Sequence, residues 1–171
     1  MSPTTPGPAD RPDVVDVARR EWASVHPDLD TSTMALTGRL RLVAAALAHA
    51  TDPVVRAEGL TRPEFDVLSA VRRAGRTPLT PTGIAAATLS SGAATTKRLD
   101  HLTAVGHLQR TPDDRDGRVT RLSLTPAGTA LVDRLLPRVL EAEAAFASVL
   151  DADQEAATAQ ALRTLLDRHP A

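Results

Sequence analysis

Two stretches of the chain carry side chains suited to contacting a phosphate backbone. Residues 91–101 read SGAATTKRLDH, short hydroxyl and methyl side chains around Lys97. On a helix, such residues let another surface approach closely. Ser and Thr bond phosphates or base edges, and a lysine reaches phosphate or guanine. Residues 110–125, RTPDDRDGRVTRLSLT, alternate charges around one glycine and then run into VTRLSL, a strand-like segment. An arginine at a hairpin tip can enter the narrow, negative minor groove. Catalytic chemistry is poorly served by comparison. The chain has no Cys and no Tyr, and its five histidines (26, 49, 101, 107, 169) show no metal-ligand spacing. His, Ser and Asp occur in no recognisable arrangement, so no catalytic residue, metal or cofactor is expected.

Composition sets the frame for these stretches. The 171 residues balance 20 basic against 21 acidic side chains, so any affinity for nucleic acid must come from local patterning. The chain is 42% hydrophobic but only 2% aromatic, which leaves Ala and Leu to fill the core and points to helices. The longest apolar runs, such as VAAALA at 43–48, are too short to span a bilayer. The N-terminus MSPTTPGPADRP has no charged-then-apolar signal pattern and reads as a disordered arm over 1–11. Cytoplasmic localisation, with no membrane partner, is the expectation.

Several helices must position the two stretches. Val14, Ala18, Trp22 and Val25 share a helical face over about 13–25. Leu36, Leu40, Val43 and Leu47 form an apolar stripe over about 33–51, which Pro53 is expected to end. In LTRPEFDVLSAVRRAG (60–75), Thr61 and Glu64 make a capping box, Phe65, Leu68 and Val71 face inward, and Gly75 closes the helix. Thr80 and Pro81 open a short helix, and the turn SSG (90–92) leads to another whose stripe is Thr95, Leu99, Leu102 and Val105, closed by Gly106. Residues 107–111 and 119–124 pair as a hairpin. Thr125 and Pro126 then start a helix over about 126–150 carrying Leu131, Leu135, Val139, Ala142, Phe146 and Val149, with a kink expected at Pro137. Asp151 with Gln154 starts the last helix, which runs to about 168.

Helix, short helix, tight turn, helix and hairpin is the order of a winged helix-turn-helix. The alternative is a helical bundle with an incidental hairpin. The flanking stripes exceed what a small central domain can cover, and pairing with a second copy covers them. The segments LTRPEFDVLSAVRRAG, LTPTGIAAATLSSGAATTKRLDHLTAVGHLQR, DDRDGR and LSLTPAG resemble, in order and spacing, the central region of MarR-family transcriptional regulators over about 60–135. The resemblance implies a mostly α fold with a small β-hairpin. It divides the chain into the arm (1–11), N-terminal dimerisation helices with a ligand pocket (12–59), a DNA-binding winged helix-turn-helix (60–125) and C-terminal dimerisation helices (126–171).

In that frame the outward face of 91–101 presents Ser91, Ala93, Thr96 and Lys97, with His101 an ordinary polar residue. The wing carries Arg115 and Arg118. The family usually places two adjacent arginines after the second Asp of its wing motif. Here Gly117 takes the first place and Arg118 the second. Asp114 or Asp116 is expected to pair with Arg115 and shape the wing, leaving Arg118 to read the groove.

The chain also resembles the urate-responsive and PecS-like branch. That branch implies four ligand-binding positions: Trp22 in an N-terminal helix, Asp66 before the helix-turn-helix, Arg98 in the recognition helix and Arg110 at the start of the wing. Arginines offer bidentate donors to an anion, and a tryptophan walls a flat ring. The alternatives are a plain interface tryptophan and a structural ion pair of Asp66 with Arg98 or Arg110. Urate, citrate or aconitate, and other aromatic acids stay open as effectors. The expected function is a homodimeric repressor released from a palindromic double-stranded operator by a small anionic metabolite. The competing reading is a winged-helix sensor or interaction protein with weakened DNA binding.

Overall fold

The computed structural model describes residues 11–75, 79–88, 92–112 and 119–168. The elements run α1 (Val14–Val25), α2 (Met34–Arg56), α3 (Arg62–Ala74), α4 (Pro81–Ala87), α5 (Gly92–Ala104), β1 (Leu108–Pro112), β2 (Thr120–Leu124), α6 (Pro126–Ala147) and α7 (Ala152–Arg168). The fold is mostly helical with one antiparallel hairpin. Residues 1–10 of the expected arm, most of the SSG turn and the wing tip fall outside the described residues. No helix among those described is long and apolar enough to cross a membrane.

The chain forms two compact units, the first through His49 and the second from Ala50. In the first, Asp13 caps α1: its Oδ1 accepts from the backbone of Val15 and Asp16, while Asp16 reaches back to the Asp13 N–H. Arg39 of α2 then binds both carboxylates at 2.8 Å. Val15 packs onto Gly38, where an added Cβ would lie 3.0 Å from its Cγ1. The stripe residues Val14, Trp22, Val25, Leu36 and Val43 stay exposed.

The second unit holds the main core. Phe65, Val67, Leu68 and Val71 of α3 pack with Ile84, Leu99, Leu102, Leu108, Leu122 and the α6 residues Leu131, Val132, Leu135 and Val139. The capping signals form as read: Thr61–Glu64, Thr80 at α4, Thr125 at α6, and Asp151–Gln154 before α7. Some expectations fail, among them that α6 reaches Val149, since it ends at Ala147. Pro53 does not end α2, which continues to Arg56 with the proline inside it. A proline removes one donor, and burial of Thr51 and Val55 on either side holds the helix through it. Val105 is 47% exposed rather than on the inner stripe. α5 has already ended at Ala104, and Gly106, at φ 77°, turns the chain so that the His107 N–H bonds the Leu102 carbonyl.

Leu122 is buried and pairs with Arg110 across the hairpin, and its N–H also bonds the Leu79 carbonyl. The Thr125 hydroxyl donates to the Gly106 carbonyl and accepts from the Gly128 N–H. Gly128 lies so close to His107 that an added Cβ would stand 2.0 Å from the His107 carbonyl oxygen. Backbone cannot yield as a side-chain tip can. Gly128→Ala is therefore expected to cost about 1–3 kcal/mol. Thermal unfolding measures this, and a wild-type melting temperature in the variant would refute the close approach.

Candidate nucleic-acid interface

The outward face of α5 is built by what its inward face buries. Thr95, Leu99 and Leu102 are at most 1% exposed. That leaves Ala93, Thr96 and Lys97 together on the exposed side. The Thr96 hydroxyl donates to the Gly92 carbonyl, which orients it. Ser91 precedes the helix and lies outside the described residues, as do Arg115, Gly117, Arg118 and the wing aspartates.

The wing base is tied to this helix. Arg110 donates to Asp100 of α5 at 2.7 Å. Its strand position opposite Leu122 fixes where that guanidinium emerges. Arg98 sits half-buried on α5. Asp66 pairs with Arg62 at 3.0 Å. Trp22 belongs to the first compact unit, half-exposed, its ring stacked on His26 at 5.7 Å.

Two further residues escaped the sequence reading. Glu64 was recognised as a cap, but its second job was not. Its Oε2 accepts from the Thr61 N–H and hydroxyl at 2.8 Å, while its Oε1 takes Nδ1 of His101 at 2.7 Å. Since the ionised carboxylate only accepts, Nδ1 is the donor. Glu64 thus links the first turn of α3 to α5. Burial pushes its carboxyl pKa up, but the Thr61 and His101 hydrogen bonds outweigh that and hold it below the usual glutamate value. Arg62 was missed as well. Its i,i+4 spacing to Asp66 was visible in the sequence, but its bonds to Thr51 and Glu143 span 11 and 81 residues.

A helix with a short polar outer face, joined through its neighbour to a charged hairpin, has the arrangement of a DNA reading head. Comparison with known proteins agrees. The model for the MarR family matches residues 58–119. Over 157 residues the chain is 32% identical to the HTH-type transcriptional regulator PecS of Dickeya dadantii, covering 91% of this chain and 92% of that protein. The chain belongs to the MarR family. Solved structures share its fold. One is BpsR of Bordetella bronchiseptica, described for regulation of its DNA binding by 6-hydroxynicotinic acid (TM-score 0.73, 22% identity, 81% of this chain and 98% of that one). Another is the S. aureus MepR–DNA complex (TM-score 0.73, 20% identity, 78% and 97%). The protein is a DNA-binding transcriptional regulator of the MarR/PecS type and not an enzyme.

The Glu64 cluster sets an acid limit on the reading head. A carboxyl whose folded pKa is depressed contributes stability above its unfolded value and loses it as pH falls through the folded one. The loss therefore begins below the ordinary value of 4.5. Glu64→Gln is expected to be less stable at neutral pH and to show a shallower decline in acid. Chemical denaturation at pH 7 and pH 3.5 reads both effects, and parallel curves for the two proteins would refute the assignment.

Proposed function

We propose that the protein is a homodimeric repressor released from a palindromic operator by a small anionic metabolite such as urate. The observation that carries the DNA reading is the outer face of α5, where Ala93, Thr96 and Lys97 stand exposed above a buried stripe. In this reading Ser91 joins that face, Arg118 enters the minor groove and Arg115 shapes the wing. Lys97, the chain's only lysine, meets phosphate or guanine.

Dimerisation is supported by uncovered apolar surface. No residue of α7 is buried, and Leu136, Leu140, Val149, Leu150, Leu162, Leu165 and Leu166 of the C-terminal region are exposed. An isolated protomer does not leave such a surface open without a partner. A two-fold dimer of reading heads matches a palindromic site.

The effector reading assigns Trp22, Asp66, Arg98 and Arg110 to an anionic, ring-bearing ligand. Its support is the PecS relationship and the regulation of BpsR by an aromatic acid. Release requires that the ligand bind the two conformations of the reading head unequally.

Two measurements test this. A gel shift with the gene's own upstream region at two salt concentrations should show binding that weakens with salt. Lys97→Ala and Arg118→Ala should each weaken it and lower the salt slope by about 1. Unchanged affinity and slope in a variant would remove that residue from the interface. Titration with urate and, separately, with citrate should change Trp22 fluorescence and release DNA for one of them. Silence toward both removes these ligands while leaving the DNA function standing.

A further inference from the structure

The first turn of α3 faces two neighbours. Toward α5, Glu64 holds His101. On the other side Arg62 uses all three guanidinium nitrogens. Nε donates to Asp66 at 3.0 Å, Nη1 to the Thr51 hydroxyl at 3.2 Å and Nη2 to Glu143 at 3.0 Å. Its guanidinium carbon lies 6.0 Å from the Phe65 ring centroid. Thr51 is on the last turns of α2 and Glu143 is on α6, so one planar cation joins three helices. The planar arginine fork presents these donors in a fixed geometry, which the three rotatable donors of an ammonium do not reproduce.

The three partners are not equally held. Thr51 is 1% exposed, and its hydroxyl has little water to turn to. The Asp66 side chain is 44% exposed against 33% for Glu143. An exposed i,i+4 ion pair is weak and yields to competition. Asp66 is therefore the exchangeable partner, and it is also the carboxylate that the effector reading assigns to the ligand.

We propose that Arg62 is the positioning residue that carries the state of Asp66 to the reading head. While Asp66 holds Nε, the guanidinium fixes α3 against the end of α2 and α6. When Asp66 is drawn away, Arg62 re-centres on Thr51 and Glu143. α3 then shifts, and α5 shifts with it through Glu64 and His101. The link from Asp66 to ligand rests on the proposed effector site; the tether itself does not.

The experiment measures affinity for a labelled duplex of the upstream region, by fluorescence anisotropy at two salt concentrations. It compares wild type, Asp66→Ala, Arg62→Gln and the double variant. Each single variant should shift affinity by about 5- to 150-fold. The salt slope should stay as in wild type, because no phosphate contact is lost. The double variant should match Arg62→Gln alone, since both changes act through one bond. Arg62→Lys should stay shifted. Wild-type affinity in Asp66→Ala, or effects that simply add, would overturn the proposal. Active fraction is set by stoichiometric titration, and Glu143→Gln replaces Arg62→Gln in the cycle if the latter does not fold. In a second arm with urate as probe, Arg62→Gln should keep the Trp22 fluorescence response and lose DNA release. Equal release from both proteins would overturn the coupling. A wild type that ignores urate counts against the effector reading, and the affinity cycle alone then decides the role of Arg62.

Discussion

The meeting of two backbones at Gly128 and His107 governs where the wing stands. The His107 carbonyl occupies space that any side chain at position 128 would need. The same carbonyl accepts from the Thr125 N–H, and the Thr125 hydroxyl ties Gly106 to the first turn of α6. The end of α5, the start of β1 and the start of α6 are thereby held at one point. The direction of the hairpin relative to α5 follows from this knot and from the Arg110–Asp100 pair.

A second organising point is the first turn of α3. It is short, yet Glu64 and Arg62 serve opposite sides of it. Neither side chain faces the exposed surface of α5. Their importance lies in making the recognition helix and α6 share a neighbour, so that a displacement on one side is not absorbed by loose packing before it reaches the other. Coupling of this kind needs an element with two arrangements, and an arginine with one weakly held partner supplies one.

The sequence is most readable where structure is local. Capping boxes, Pro at N1 and Gly106 identify themselves because the residues that bond lie within a few positions of each other. Pro53 misleads for the complementary reason. Its local preference says stop, but burial of Thr51 and Val55, which no local pattern announces, carries α2 onward. Val105 fits a helical stripe on spacing alone, yet the turn at Gly106 takes it off the helix. In the candidate site, the exposed face of α5 followed directly from its buried stripe. The long-range partners of Arg62 and His101 did not, because Glu143 and Glu64 come from elsewhere in the chain. Residue types identified the charged groups, while topology decided who meets whom.

Lys97 has a consequence of a different kind. It is the chain's only lysine and it stands exposed on α5. Within these 171 residues an amine-selective reagent therefore finds one lysine side chain, on the face proposed to meet DNA. Acylation there removes the charge from that helix in a single event. Protection of that one amine becomes a direct gauge of whether the face is covered.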